Sequence, residues 1–339
     1  MALVKIPGDN QLISDLENIG HVDIRHLARR TMDSSPFTTV EEITFTSQFN
    51  KNYSIICKSL LPGLFKDEVI IHRAVSDLPI NGPAFYHGTC DGPNDLCYIL
   101  MENIKFNFLY NYLDYIYLKE VIQMLINYQN TYFSSKQLRS LPLKRHGFDW
   151  YSDKRHTNDC LAVVQNLVEN KVILDENLVP VSMDEYGDFE NNYYRLIGMM
   201  KDLVANLPKN CCNELVLVHG DFDSGNIIVF DNNEVAVIDW GMAHLDTPIL
   251  DISHLFSSLQ GLLPVDQYRA LVNHYFRSTA YFWGSTPDRW NVIRVGQIMH
   301  HLYYLHHQTK CIKNGWVEPD YFSERIYRKF SYFKSLLSS

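Results

Sequence analysis

The feature that most constrains the fold is a change of sequence pattern near residue 103. Before it, apolar and polar residues alternate in short blocks, which is the period of half-buried β-strands. After it, apolar residues recur at helical spacing over long stretches. With 339 residues the chain is also long enough to bury two cores. We therefore predict an α+β chain of two lobes, an N-terminal lobe of residues 1–103 and a mainly helical C-terminal lobe of residues 104–339.

The N-terminal lobe is predicted to be a five-stranded antiparallel sheet crossed by one helix. The blocks with strand character are residues 22–30, 38–46, 52–59 and two stretches within 84–104. The polar segment 47–52 and the Gly/Pro/Asn/Asp segment 90–95 are typical of turns between antiparallel strands. Residues 63–77 carry their apolar side chains on one helical face, and a short helix is expected around residues 12–19.

The C-terminal lobe contains one interruption of its helical pattern. The helical stretches are residues 113–132, 158–170 and 192–207. Residues 214–239 instead predict an apolar strand, a polar loop, a second strand, an Asp-Asn-Asn turn and a third strand. A short antiparallel unit of this kind would bring its polar side chains together at one end, namely Asp221, Asp223, Asn226 and Asp239. Carboxylate and amide oxygens are ligands that suit Mg²⁺.

Charge and composition limit the classes of molecule that the chain can bind and the compartment in which it is expected. Against 30 basic residues there are 39 acidic ones, and the net charge of −9 argues against nucleic acid or an anionic membrane as the main partner. A cationic substrate would suit this charge. No apolar run approaches the ~18 residues of a membrane helix, and no signal-peptide pattern is present at the N-terminus. The seven cysteines, including Cys211 and Cys212, form no C-x-x-C and no disulfide framework, so we expect the reducing cytoplasm. The oligomeric state is not indicated.

The polar residues of the interrupted stretch stand at a characteristic spacing. His219-Gly-Asp221 is followed by Asn226, and Asp239-Trp-Gly comes thirteen residues after that asparagine. At these residues the chain resembles the aminoglycoside phosphotransferase and choline kinase family, whose members have a protein-kinase-like two-lobe fold. The resemblance implies an ATP-dependent kinase that phosphorylates a hydroxyl of a small molecule. It implies that Asp221 accepts or orients that hydroxyl, that Asn226 and Asp239 hold Mg²⁺ at the catalytic centre, and that His219 braces the catalytic loop.

Residues of the N-terminal lobe support the same resemblance. Lys58 ends an apolar strand, and Glu68 follows ten residues later near the start of the amphipathic helix. This is the order expected of the lysine that binds nucleotide phosphates and of its helix glutamate. The phosphate-covering loop would lie between the first two strands, where this chain has no glycine. Ser34, Ser35 and Thr38 are the candidate phosphate contacts there, although an ordinary turn fits each of them equally well.

Two more segments match the layout of the family. The run of residues 99–104 resembles the connector between the lobes, where backbone groups of Glu102 and Ile104 would contact the adenine; ATP is expected, and GTP is left open. Further on, Asp251 resembles an aspartate that begins a helix and supports the catalytic loop. As a helix cap it would contribute about 1 kcal/mol.

The same residues allow several alternatives to this interpretation. The acids could merely cap the turns of a hairpin, or His219, Asp221 and Asp223 could form the metal site of a hydrolase. The chain contains no Walker loop, no G-x-G-x-x-G and no G-x-S-x-G. A protein kinase would carry A-P-E after its metal-binding aspartate, and this chain does not. A nucleotide-binding module without catalysis is the alternative of another class.

The acceptor is the open part of the prediction. An antibiotic, as for a resistance enzyme, and a metabolite such as choline or a sugar both fit a small hydroxylated substrate. Its contacts should come from the C-terminal lobe, either from the insert 145–154 or from the helices after Asp251. Four histidines of a C-terminal helical pattern, namely His300, His301, His306 and His307, have no two members four residues apart, so a helix face is predicted in preference to a metal site.

Overall fold

The chain is organised as two compact units. The computed structural model describes residues 4–20, 23–75, 82–91, 96–104, 107–109, 114–134, 140–207, 215–230, 234–280 and 288–338. The sheet unit comprises Ala2–Leu141 and Ser224–Ala243, and the helical unit comprises Pro142–Asp223 and His244–Ser339. The predicted α+β class is confirmed. The predicted lobes, which meet at residue 103, group the chain differently from these units and stay a prediction.

Five long strands form the main sheet of the sheet unit. They are β1 (Ile24–Ser34), β2 (Thr38–Ser47), β3 (Asn52–Leu60), β4 (Phe85–Asp91) and β5 (Leu96–Glu102). Their order is β1-β2-β3-β5-β4, and every neighbouring pair is antiparallel. This confirms the five-stranded antiparallel sheet. β3 is central, and its Lys58 lies opposite Val40 of β2 and Ile99 of β5.

Two helices cover opposite faces of this sheet. The helices of the unit are α1 (Asp9–Gly20), α2 (Pro62–Val75) and α3 (Tyr115–Ser134). Successive side chains of a strand point to opposite faces. Cys57 of β3 packs in an apolar cluster with Leu12 of α1, whereas the next residue, Lys58, reaches Glu68 of α2. The alternation of β3 therefore directs one charged side chain to the α2 face, and packs its neighbour into the core under α1.

Five short strands form two separate small sheets. In the sheet unit, β8 (Ile227–Val229) pairs with β9 (Val235–Val237) and with β6 (Asn107–Phe108). In the helical unit, β7 (Val216–Val218) pairs with β10 (His244–Asp246). The prediction of a single antiparallel unit over residues 214–239 is therefore wrong. Because β7, β8 and β9 are only three residues long and buried throughout, they show no alternation that could identify their partners.

The helical unit is built around one long central helix. Its helices are α4 (Phe148–Tyr151), α5 (Lys154–Glu169), α6 (Met183–Ala205), α7 (Ile249–Leu259), α8 (Val265–Ser278), α9 (Arg289–Lys313) and α10 (Ser323–Ser338). α9 packs against α5, α6, α7 and α10. It approaches α7 closely at Gly296, where a Cβ would lie 2.1 Å from the Ser253 Oγ. This close approach brings side chains of α7 next to side chains of α9.

One disulfide joins the strands β4 and β5. It links Cys90 and Cys97, which are paired positions of the sheet, and the sequence analysis did not predict it. Cys57, Cys160 and Cys311 are buried and reduced, whereas Cys211 and Cys212 lie outside the described residues. Across the described parts of the chain, no helix combines the length and the apolar character needed to cross a membrane.

Candidate functional site

In the sheet unit, a buried lysine is held between two carboxylates. The Nζ of Lys58 lies 2.7 Å from Glu68 Oε1 and 2.7 Å from Asp239 Oδ1. Lys58 and Glu68 are 7% and 1% exposed, whereas the side chain of Asp239 is 54% exposed. Burial alone would lower the pKa of Lys58, but the two carboxylates outweigh this and raise it. We call Lys58, Glu68 and Asp239 the Lys58 cluster; its lysine stays charged.

The strand pair β8–β9 places Asn226 beside the end of β9. The carbonyl of Asn226 accepts the N–H of Ile238 at 3.0 Å, which extends the pairing of β8 and β9 by one residue. Asp239 follows at φ 61°, a left-handed conformation that aspartate tolerates better than most residues. Its carboxylate also accepts the N–H of Gly241 at 3.4 Å, at the start of the 3₁₀ turn Trp240–Met242. The sequence-predicted metal residues Asn226 and Asp239 are thus neighbours in this unit.

The turn between β1 and β2 bonds mainly to itself. The Oγ of Ser35 accepts the N–H groups of Phe37 at 3.2 Å and of Thr38 at 3.1 Å. The Oγ of Ser34 lies 3.4 Å from the hydroxyl of Thr39. These bonds describe a hydroxyl-stabilised turn of the kind that serine favours. A role of Ser34, Ser35 and Thr38 in phosphate binding stays a prediction.

The predicted adenine connector begins at the end of β5. Glu102 pairs with Ile55 of β3, its N–H donates to the Ala84 carbonyl at 2.9 Å, and its Oε2 accepts the Ala84 N–H at 3.2 Å. Ile104 follows the strand and is half-buried. The backbone N–H of Glu102 is therefore engaged within the sheet. Nucleotide contacts of Glu102 and Ile104 stay predictions.

In the helical unit, a buried carboxylate fixes the loop that carries Asp221. Asp251 lies in the first turn of α7, and its carboxylate accepts the N–H of His219 at 2.7 Å and of Gly220 at 2.9 Å. Gly220 has φ 79°, which favours glycine. The Nδ1 of His219 accepts the N–H of Asp221 at 3.3 Å. Asp251 is thus a loop support, as expected, but Pro248 holds the cap position that the sequence analysis gave to it.

Two side chains of this loop and two from neighbouring helices form a group that we call the Asp221 cluster: Asp221, Asp223, His254 and Tyr304. The hydroxyl of Tyr304, on α9, donates to Asp221 Oδ1. His254, on α7, lies between the two acids, with Nδ1 3.9 Å from Asp221 Oδ1 and Nε2 3.8 Å from Asp223 Oδ2. The imidazole of His300 packs on that of His254, with ring centroids 3.7 Å apart.

Burial keeps the aromatic members of the Asp221 cluster uncharged. Burial and then the Asp221 carboxylate raise the pKa of Tyr304 well above its usual value. Burial lowers the pKa of His254, although Asp221 and Asp223 oppose this change, and burial also lowers that of His300. A neutral imidazole cannot cancel the charge of the two neighbouring carboxylates. The Asp221 cluster therefore presents negative charge.

Tyr304 and His254 were missed by the sequence analysis. His254 follows Asp251 by three residues and Tyr304 follows His300 by four, so each pair shares a helix face. This spacing was the available signal. It could not show that the two faces meet, because their approach depends on Gly296.

The remaining histidines of α9 are bound in separate contacts. His301 Nδ1 lies 2.9 Å from the Nζ of Lys329, and His306 Nε2 lies 2.6 Å from the hydroxyl of Tyr193. Burial lowers the pKa of His301 to about 3, and those of His306 and His307 to about 4. Of these neutral side chains, His301 contacts α10 and His306 contacts α6, and a shared histidine-rich helix face stays a prediction.

The hydrolase alternative does not fit the position of His219. This residue is fully buried, and its Nδ1 already accepts the N–H of Asp221. β7 pairs with β10 and not with β8, so the hairpin of the other alternative is limited to β8 and β9. The oxygen donors of Asn226 and Asp239 do fit Mg²⁺, since Asp239 is exposed and both residues offer hard oxygen atoms.

Comparisons with known proteins agree with this geometry. Residues 137–287 match the model of APH, the phosphotransferase enzyme family. Similar solved structures include choline kinase from Cryptosporidium parvum Iowa II, with a TM-score of 0.64 and 11% identity over 98% of this chain and 96% of that chain. Spectinomycin phosphotransferase in complex with ADP and spectinomycin has a TM-score of 0.57 and 15% identity, covering 98% and 95% of the two chains.

A macrolide 2'-phosphotransferase from Brachybacterium faecium is also similar, with a TM-score of 0.55 and 12% identity over 93% of this chain and 95% of that chain. No curated protein sequence matches. At such identities the solved structures establish the fold. The resemblance drawn from the sequence is confirmed: residues 137–287 match the phosphotransferase enzyme family, and the chain has the protein-kinase-like fold of aminoglycoside phosphotransferases and choline kinase.

Proposed function

We propose that the chain is an ATP- and Mg²⁺-dependent kinase that transfers a phosphoryl group to a hydroxyl of a small molecule. The observation that carries this proposal is the Lys58 cluster. A lysine that is buried and still charged, held by a helix glutamate and by an exposed aspartate, is suited to bind phosphate oxygens. The match of residues 137–287 to the phosphotransferase family supports the same chemistry.

Asn226 and Asp239 would hold the magnesium ion. When bound, Mg²⁺ neutralises charge on the phosphate oxygens. Lys58 binds phosphate through its ammonium group, and Glu68 keeps that group in place through a 2.7 Å contact. Phosphoryl transfer demands little covalent chemistry from a protein, so positioning and charge are what these side chains contribute.

Asp221 is proposed to orient the acceptor hydroxyl. Its loop is held by two backbone N–H groups that donate to the Asp251 carboxylate, and its own Oδ1 accepts the hydroxyl of Tyr304. A carboxylate held at both its backbone and its side chain has few orientations left. It can therefore accept the hydrogen bond of an incoming hydroxyl at small entropic cost, and it receives the proton as the oxygen attacks phosphorus.

The acceptor is proposed to carry positive charge near its hydroxyl. The donor atoms of Asp221, Asp223 and His254 all lie within 4.8 Å of one another, and the imidazole between the acids is neutral because burial lowers the pKa of His254. An amine or ammonium group would be attracted there. An antibiotic that carries amines is the first candidate, as in a resistance enzyme, and a cationic metabolite of the choline type is the second.

The test is an ADP-release assay with the purified chain, ATP and Mg²⁺ over a panel of acceptors. The panel comprises aminoglycosides, macrolides, nucleoside antibiotics, choline and sugars, and the phosphorylated product is identified by mass. We expect acceptor-dependent ADP release for at least one amine-bearing compound. No phosphorylated product from any hydroxylated compound would favour the non-catalytic nucleotide-binding alternative.

Two variants separate binding from transfer. Asp221→Asn should abolish transfer while ATP binding, measured by calorimetry, stays within about threefold of the parent chain, because the residue acts on the acceptor. Lys58→Met should weaken ATP binding itself. Asp266→Asn, an exposed position in the first turn of α8, is the matched control and should leave both quantities unchanged. Turnover of the Asp221→Asn variant at the parent rate would contradict the assignment.

A further inference from the structure

Outside the Asp221 cluster, the helical unit contains a group of side chains that can bind a metal. His146, His244 and Asp246 each present one ligand atom, and these atoms all lie within 4.8 Å of one another. We call these three residues the His146 cluster. His244 and Asp246 stand two residues apart on β10, so their side chains point to the same face of the strand.

Backbone hydrogen bonds place His146 against the same strand. The N–H of Leu245 donates to the Lys144 carbonyl at 2.8 Å, and the N–H of His146 donates to the Leu245 carbonyl at 2.8 Å. The segment 144–146 therefore runs alongside β10 as a short parallel bridge. All three side chains are mounted on paired backbone, which holds donor atoms more precisely than a loop would.

One ring nitrogen of His146 has no hydrogen-bond partner. The Nδ1 of His146 is buried and makes no hydrogen bond. Leaving a buried polar atom unsatisfied is costly, and such atoms in native proteins usually have a water or an ion as partner. A metal ion between His146 and the two residues of β10 would satisfy it.

Hydrogen bonds and ring contacts hold the side chains of the cluster in place. Asp246 Oδ2 accepts the hydroxyl of Tyr151 at 2.5 Å, and its Oδ1 accepts the N–H of Thr247 at 2.7 Å. The ring of His146 stacks on Trp150 with centroids 4.1 Å apart, and the ring of His244 stacks on Tyr303 at 4.7 Å. Hydrogen bonds and ring contacts of this kind orient the side chains that bind a metal and limit the access of water.

We propose that His146, His244 and Asp246 bind one Zn²⁺ ion, which joins the segment 144–146 to β10 within the helical unit. Two imidazole nitrogens and one carboxylate oxygen are a donor set that suits Zn²⁺, whereas Mg²⁺ and Ca²⁺ prefer oxygen alone. Three protein ligands leave a fourth position for water. The site is independent of the proposed kinase activity, and it uses the insert 145–154 for stability in place of the acceptor contacts that the sequence predicted.

The experiment uses the full chain with any affinity tag removed and with metals stripped by a chelator. Zn²⁺ is titrated in competition with a chromophoric chelator, and the Tm is measured with and without Zn²⁺. We expect one equivalent of bound Zn²⁺ and a higher Tm. Co²⁺ in place of Zn²⁺ should give the visible absorption bands of a four-coordinate nitrogen and oxygen site.

Substitutions locate the ion. His146→Gln should weaken Zn²⁺ binding by more than tenfold, and Tyr151→Phe, which removes only the hydrogen bond to Asp246, should weaken it by about 10- to 100-fold. His156→Gln is the matched control: this histidine also contacts Trp150 but lies outside the cluster, and binding should not change. If the parent chain binds no Zn²⁺, or if His146→Gln binds it as tightly as the parent, the proposal is overturned.

Discussion

Replacing Asp251 by alanine should destabilise the helical unit far more than the loss of a helix cap would. Its carboxylate accepts two backbone N–H groups, at 2.7 and 2.9 Å, and His219, which supplies one of them, is fully buried, as is Asp251 itself. A hydrogen bond to a charged group is worth about 1.5–3 kcal/mol, so the loss of both amounts to about 3–6 kcal/mol. A lost cap costs about 1 kcal/mol.

The assay is thermal unfolding of the parent chain and of a graded set of variants. For a unit of this size, 1 kcal/mol corresponds to about 2–4 °C, so Asp251→Ala should lower the Tm by on the order of 10 °C. Asp251→Asn keeps one acceptor oxygen and should show about half that loss. Asp266→Ala, which removes an exposed first-turn aspartate of α8, is the control and should cost less than about 1 kcal/mol.

The graded result is what tests the reasoning. If Asp251→Ala costs no more than Asp266→Ala, the N–H groups of His219 and Gly220 find other partners and the loop does not depend on this carboxylate. If Asp251→Asn costs as much as Asp251→Ala, the two hydrogen bonds are not separable contributions. The first outcome would refute the assignment of Asp251 as the support of the loop that carries Asp221; the second would refute the additivity of its two hydrogen bonds.

Three further perturbations follow from the helical unit. Tyr304→Phe removes the hydrogen bond to Asp221 and should lower kcat by about tenfold or more, with little change in ATP binding, as measured by steady-state kinetics. Gly296→Ala puts a Cβ 2.1 Å from the Ser253 Oγ and should cost about 1–3 kcal/mol, as measured by denaturant unfolding. Burial lowers the pKa of Lys329 to about 8, below the ~10.4 of an unfolded lysine, so the unfolded chain binds this proton more tightly. The free-energy cost of burying the charged ammonium group is therefore largest below about pH 8, and it disappears as the pH rises through about 10.5. Lys329→Met should for this reason raise the Tm more at pH 7 than at pH 10.5.

Each of these has a matched control in the same unit. Tyr332→Phe removes an exposed hydroxyl and should leave kcat unchanged. Gly187→Ala adds a Cβ in open space within α6 and should be neutral or stabilising, in contrast to Gly296→Ala. Lys334→Met removes an exposed ammonium group of α10, and its effect on the Tm should not vary with pH in the same way. Equal effects of a variant and its control would contradict the corresponding prediction.

The sequence predicted the contacts that regular elements determine. Lys58 and Glu68 lie on a strand and a helix that adjoin in the chain, and the family resemblance, supported by their order relative to the downstream motif, predicted their pairing. The alternation of apolar and polar residues identified the five long strands. Short turns account for the pairs β1–β2, β2–β3 and β4–β5, whereas β3 pairs with β5 across α2 and β4. These elements depend on residues that are close in sequence, so they can be predicted without knowing the rest of the fold.

Contacts between distant segments were not predictable in this way. The pairing of β7 with β10, the hydrogen bond from Tyr304 to Asp221 and the contact of Lys58 with Asp239 each join segments that no pattern connects. Asp239 was expected only as a metal ligand, and its ion pair with Lys58 was not foreseen. Three-residue buried strands carry too little periodicity to specify a partner.

The sheet unit is built from two separate segments of the chain, which affects the order in which it can fold during synthesis. The first segment ends at Leu141 and the second begins at Ser224; the second contains β8, β9 and Asp239. The ribosome releases the N-terminal segment first. Until the second segment has emerged, β6 cannot pair with β8, and Lys58 cannot contact Asp239. A nascent or truncated chain that ends at residue 141 would thus lack Asp239, one of the two carboxylates that contact Lys58, and this unit can be completed only late in synthesis.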